Sequence, residues 1–181
     1  MKRSQWLNRT WVMVCCVLWV VGAAASDEAS YPAAPVAGSA EFERVKQLVG
    51  KWEGTSSSQM HGEESARVEY RLTSGGSAVV EILFPGTPQE MVSVYTDRGG
   101  KLAMTHYCML GNQPKLKLIS SGEDRLELSL AADSDINTVA EPHMHALTLS
   151  FDGPDQITQR WAFFEGGQEK DTTTLTLTRI Q

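Results

Sequence analysis

The chain has 181 residues, with 16 basic against 22 acidic side chains and a formal net charge of −6. Neither nucleic acid nor an anionic lipid surface fits that balance, because both reward Lys/Arg clusters and the sequence contains none.

Residues 1–26 begin with Lys2, Arg3 and Arg9, continue through an apolar run from Trp11 to Val21, and end on Gly22-Ala23-Ala24-Ala25-Ser26. These are the three regions of a secretory signal. The eleven-residue run is shorter than the roughly 20 residues a spanning helix needs. Cleavage near Ser26 is therefore expected, giving a periplasmic or secreted protein with no membrane insertion. Cys15 and Cys16 fall inside the apolar run without the small residue that precedes a lipidated cysteine, and they leave with it. Loss of Lys2, Arg3 and Arg9 leaves 13 basic against 22 acidic side chains, a net of −9. The mature chain keeps one cysteine, Cys108, so no internal disulfide forms and the core must hold the fold together.

Residues 27–38 are rich in Ala, Ser and Pro and read as a tether, so the domain is expected over 39–181. Ser39 is placed to cap a short helix whose apolar stripe is Phe42, Val45, Leu48 and Val49, with Glu41 and Glu43 at the positive end of its dipole and Gly50 at its close. The period then changes from 3.6 to 2. Arg67, Glu69 and Arg71 oppose Val68, Tyr70 and Leu72; Glu127 and Ser129 oppose Leu126, Leu128 and Leu130; Thr174, Thr176 and Thr178 oppose Leu175 and Leu177. This pattern predicts strands over 51–60, 65–73, 77–84, 89–97, 101–109, 115–121, 125–132, 143–151, 156–164 and 169–180. No helical pattern interrupts them, which argues against parallel crossover units.

The connections alternate in kind. Ser74-Gly75-Gly76, Arg98-Gly99-Gly100, Ser121-Gly122-Glu123-Asp124 and Asp152-Gly153-Pro154 are tight turns, whereas Pro85-Gly86-Thr87-Pro88, Leu110-Gly111-Asn112-Gln113-Pro114 and the segment 133–142 are longer or bounded by proline. In an up-and-down meander alternate connections share an end. The expected fold is thus an all-β, up-and-down antiparallel barrel of about ten strands, plugged at the tight-turn end by the helix and open at the other.

The segment Leu48-Val49-Gly50-Lys51-Trp52-Glu53-Gly54, a helix end running into Gly-x-Trp, resembles the opening of lipocalin-like (calycin) barrels. Glu69-Tyr70-Arg71, Phe84-Pro85-Gly86-Thr87-Pro88, Thr105-His106-Tyr107-Cys108 with Gly111-Asn112-Gln113-Pro114, and His143-Met144-His145 resemble a bacterial family of small exported domains without assigned function. The likeness spans about 40 to 181. It implies structural roles for Gly50, Trp52 and Gly54, with Trp52 over the barrel floor, and implies no activity. Haem-binding nitrobindin-like barrels also start with Gly-x-Trp but depend on a histidine near the C-terminus; here none follows His145.

Parity identifies candidate site residues. Leu102, Met104, His106 and Cys108 share one face of the fifth strand, and His143 and His145 share parity with Leu147, Leu149 and Phe151 on the eighth. All four chemistry-bearing residues, His106, Cys108, His143 and His145, are therefore expected inside the open end. Three imidazoles and a thiol are a possible set for zinc or another borderline metal. As polar groups of a pocket, with Tyr70, Met104 and Trp161, they would instead orient a small molecule. His61, in the first mouth-side connection, reads as solvated, and 133–142 reads as an acidic lid.

Three functions follow. The first is an exported lipocalin-like protein holding a small, largely apolar ligand, with no cofactor. The second is a metal or haem protein using His106, Cys108, His143 and His145. The third is an isomerase or hydrolase with a mouth histidine as general base. Oligomeric state is not legible.

Overall fold

A computed structural model describes residues 38–97 and 99–180. The expected signal peptide 1–26 and nearly all of the tether 27–38 lie outside the described residues, as does Arg98 of the second tight turn.

One helix, α1 (Ala40–Lys46), precedes ten strands: β1 (Gly50–Ser58), β2 (Gly62–Thr73), β3 (Ala78–Leu83), β4 (Met91–Asp97), β5 (Leu102–Tyr107), β6 (Lys115–Ser121), β7 (Arg125–Leu130), β8 (His143–Gly153), β9 (Gln156–Glu165) and β10 (Gln168–Ile180). Each strand pairs antiparallel with its sequence neighbour, and β10 returns to β1 from Lys51↔Ile180 to Ser57↔Thr174, closing the barrel. Closure leaves no sheet edge exposed. Gly54 makes it possible. A Cβ there would stand 1.9 Å from the Thr176 carbonyl oxygen, so only glycine lets β1 and β10 approach this closely.

The helix begins where the sequence indicates: the Ser39 hydroxyl accepts from Phe42 N at 3.2 Å. It ends earlier than expected, at Lys46, and Gly50 instead opens β1 at φ 138°. Phe42, Val45 and Leu48 enter the core, whereas Val49 is exposed. The helix seals the end that carries the tight turns. Ser39 N donates to Asp97 Oδ2 at the end of β4, and Arg44 donates to Gly122 O at 2.8 Å in the β6–β7 turn while lying 4.3 Å over the Phe151 ring of β8. Trp52 packs directly above the helix end, its indole N–H donating to Leu48 O at 2.8 Å. From β10, Arg179 covers the indole at 4.3 Å and donates to Val49 O and Gln47 O, tying the last strand to the helix exit.

The lumen above this floor is packed with Val68, Val79, Leu102, Leu116, Leu126, Leu128, Leu147, Leu149, Leu175 and Leu177. The alternation read from sequence holds along most strands. It fails at strand ends, where Leu72 is exposed, and after a register shift between Leu118 and Ser120, where Ile119 points to solvent.

Candidate functional site

The lumen polar groups form a row that the register assembles. Tyr70 on β2 faces Glu81 on β3, Glu81 faces Ser93 on β4, and Ser93 faces His106 on β5, each the cross-strand partner of the next. All four side chains are buried. Directly opposed residues on one face lie close enough for side chains to bond, and these do. The Tyr70 hydroxyl donates to Glu81 Oε1 at 2.7 Å, Tyr95 donates to Oε2 at 3.0 Å, and Gln159 reaches across from β9 to donate to Oε1 at 2.5 Å. Ser93 hydrogen-bonds the same carboxyl. Trp161 N–H in turn donates to Gln159 Oε1 at 2.8 Å.

Burial raises the Glu81 carboxyl above its ordinary range, and the bonds from Tyr70, Gln159, Ser93 and Tyr95 each oppose that rise. Burial likewise pushes both tyrosines well above the usual phenol value, with the Glu81 charge adding to it. His106 goes the other way: burial lowers its imidazole to about 4, so it is neutral at pH 7.

Ser93 Oγ lies 3.0 Å from His106 Nδ1. The ring's other nitrogen is His106 Nε2. That atom is buried and has no hydrogen-bond partner among the described residues. It belongs to a residue lining a small cavity of about 30 Å³, together with Leu83, Phe84, Met91, Met144, Trp161, Thr173 and Leu175.

Phe84, Met91, Met144 and Thr173 also line a larger open cavity of about 380 Å³ at the long-loop end. The smaller space thus lies at its base. Met60, Cys108, Met109, Leu110 and Phe163 complete most of the apolar wall, and His61, Glu64 and Asp171 stand among the polar lining groups. Among the described residues, no Lys or Arg lines it. Asp171 fastens the β1–β2 connection by accepting from Gln59 N and Met60 N; burial alone would raise its carboxyl, and these bonds, with those from Ser58 and Thr172, bring it below its ordinary value. Phe84 is held at φ 52°, a left-handed conformation that costs a bulky residue roughly 1–3 kcal/mol. Its N–H is bonded to Arg67 O and its carbonyl accepts from Thr87, which hold the aromatic ring at the cavity wall.

The sequence candidates separate in three directions. His106 and Trp161 line the deep cavity, and Cys108 lines the mouth. Tyr70 belongs to the polar row beneath, and Met104 is packed in the core. His143 and His145 do not share the lumen face with Leu147 and Leu149. A register shift between Met144 and Ala146 inserts His145 as an extra residue, so Met144, paired with Phe163, faces the cavity. His145 stacks on Phe164 at 4.0 Å, and His143 Nε2 lies 3.1 Å from His145 Nδ1 with its own Nδ1 2.7 Å from Glu141 O. Burial, then the neighbouring His143, lowers the His145 imidazole.

The four expected ligands therefore do not converge; among the described residues, no group of three or more His, Cys, Asp or Glu is placed to hold a metal ion. Residues 133–142 do not roof the cavity either. They are pinned on the outer side, through Lys115 to Ser134 and Asp135 and through Asn112 to Pro142 O. His61 is exposed as expected, yet it lines the cavity rim.

Sequence reasoning missed Glu81, Ser93 and Gln159. The signal was present: Glu81 alternates with Val79 and Leu83, and Gln159 with Ile157 and Trp161, on faces that are otherwise apolar.

No known family description matches the chain, and no curated protein matches it. Solved structures that share the fold include Rv2717c from M. tuberculosis, with a TM-score of 0.51 at 15% identity over 80% of this chain and 100% of that one. Another is a protein with unknown function from the DUF3598 family of Nostoc punctiforme PCC 73102, with a TM-score of 0.54 at 14% identity over 84% of this chain and 53% of that one. At these identities the likeness extends to the barrel alone.

Proposed function

We propose that this chain is an exported, lipocalin-like barrel that binds a small, largely apolar molecule in the mouth cavity. The observation that carries the reading is the open cavity of about 380 Å³, walled by Met60, Met91, Met144, Phe84 and Phe163 and closed below by a packed lumen. That volume lies at the small end of the range for ligand pockets, and methionine walls adapt to occupants of varied shape. Catalysis fits less well. A base titrating at about 4 is a poor proton acceptor at neutral pH, and burial raises the Cys108 thiol, so His106 is not an efficient general base and Cys108 does not offer a thiolate.

Native mass spectrometry of freshly purified protein tests the reading: an apolar adduct should be retained and should be lost from Met144→Trp, which fills the cavity. Absence of any adduct, together with no heat of binding for apolar probes in calorimetry, would overturn it. Export through the segment 1–26 is part of the proposal. Its check is the N-terminus of the protein recovered from the cell envelope or medium, which should begin close to Asp27.

A further inference from the structure

We infer that the mouth cavity selects cationic amphiphiles, organic amines whose apolar body fills the chamber while the charged head stays at the rim. The matching carboxylates are excluded. This selection rests on the ligand-binding reading of the cavity and adds the charge class of the ligand.

The charge around the mouth has one sign. Four stretches border the cavity, 58–65, 84–91, 108–114 and 164–172, and together they carry six acidic residues against one basic, Lys170. Glu64 and Asp171 line the cavity itself, and Glu63, Glu90, Glu165 and Glu169 stand exposed around them. Lys115, the first residue of β6, is turned to the outer side, where it pairs with Asp135 at 3.2 Å. Asp171 is held as a carboxylate by the N–H groups of Gln59, Met60 and Thr172, so part of this charge is fixed by the fold.

A concave apolar wall ringed by like charge focuses the field at its opening and raises the local concentration of cations there. The chamber then suits their bodies. Met60, Met91 and Met144 bring polarizable thioethers, and Phe84 and Phe163 bring aromatic rings of the kind that attract a cation to their faces. An ammonium head at the rim keeps its contact with water while it meets Glu64 and Asp171, so its desolvation cost stays small. A carboxylate in the same place meets only like charge. Among the described residues, no Lys or Arg lines the cavity to neutralise it.

Three probes share one apolar frame and differ in the charge of the head: 4-butylbenzylamine, 4-butylbenzyl alcohol and 4-butylbenzoate. Calorimetric titrations of the purified protein run at about pH 8, above the ordinary imidazole range, and in about 20 mM salt, where exposed charges are little screened. The amine should bind about tenfold more tightly than the alcohol, the sum of a few exposed charge contacts, and the benzoate should bind more weakly than the alcohol by a similar factor. In about 0.5 M salt both gaps should shrink to about threefold or less. Glu64→Gln, at an exposed position, should cut the amine's advantage over the alcohol about threefold, and adding Glu169→Gln should cut it further. If none of the three probes binds, the ligand-binding reading itself fails and the charge selection goes with it. If the alcohol binds and the amine binds no tighter, the cavity takes ligands but the charge selection is wrong. A benzoate that binds more tightly than the alcohol overturns the selection as well, as does an amine advantage that neither salt nor Glu64→Gln reduces.

Discussion

At the closed end of the barrel the polar groups around Trp52 are paired: its N–H goes to Leu48 O, Arg179 bonds two carbonyls while covering the indole, and Ser39 caps the helix and reaches Asp97. At the mouth, by contrast, His106 Nε2 is left without a partner, Met60 and Met109 are exposed, and Phe84 is held in a left-handed conformation. Both ends are built from the same alternating strands. The closed end too holds buried atoms without a partner, Arg44 Nη2 and Asp97 Oδ1, and a left-handed Ser74, so what separates the two ends is the open apolar cavity at the mouth against the packed seal at the floor.

The comparison breaks most readily at the floor. Trp52→Ala should cost about 4 kcal/mol in urea unfolding, combining the cavity left by a buried indole with loss of its hydrogen bond. A cost under about 1 kcal/mol would mean that the helix does not seal this end.

The polar row between the two ends should rank next. Glu81→Ala removes the acceptor of the Tyr70 and Tyr95 O–H groups and leaves the Gln159 amide only its bond to the Tyr70 oxygen, and should cost about 3 kcal/mol in the same measurement. A near-neutral result would show that water replaces the carboxyl and that the lumen is wetter than its packing implies.

His106 sharpens the comparison through pH. Its folded pKa of about 4 lies below the ordinary 6.5, so between these values the unfolded chain binds more protons and stability falls as pH falls. The full shift corresponds to roughly 3 kcal/mol. Glu81 acts with the opposite sign: its pKa is raised on folding, so the penalty of its buried charge is relieved as pH falls. Glu81 therefore offsets part of the His106 loss between pH 6.5 and pH 4, while His145 and Asp171, both lowered on folding, add to that loss. His106→Phe should lose the His106 component; urea midpoints of both proteins across that window check this, and parallel profiles would contradict the burial of His106 in neutral form.

The smallest effect is expected at the rim. Phe84→Gly removes a half-buried ring but relieves the strained backbone, and the two should offset to within about 1 kcal/mol. Binding of an apolar probe in calorimetry should nevertheless weaken several-fold. A large loss of stability would make Phe84 part of the core and not of the mouth.

Much of this was legible because period 2 is a local property. Val68, Tyr70, Leu126, Leu128, Leu175 and Leu177 each declare their face through their neighbours, and the Gly-rich turns declare which connections share an end. His106 and Cys108 were placed correctly for the same reason. His143 and His145 were not. The shift between Met144 and Ala146 swaps faces within two residues, and nothing in His143-Met144-His145 announces an inserted residue.

The sequence by itself determined the barrel, the plugged floor beneath Trp52 and the inward parity of His106 and Cys108 towards the open end, since each follows from alternation, turn chemistry and chain order. Only the tertiary structure decided that Tyr70, Glu81, Ser93 and His106 fall in one row, and that Gln159 meets them from β9. Register is the reason. Alternation says which way a side chain points, whereas which residue stands beside it on the next strand depends on bulges, loop lengths and the close passage of β1 over β10 at Gly54.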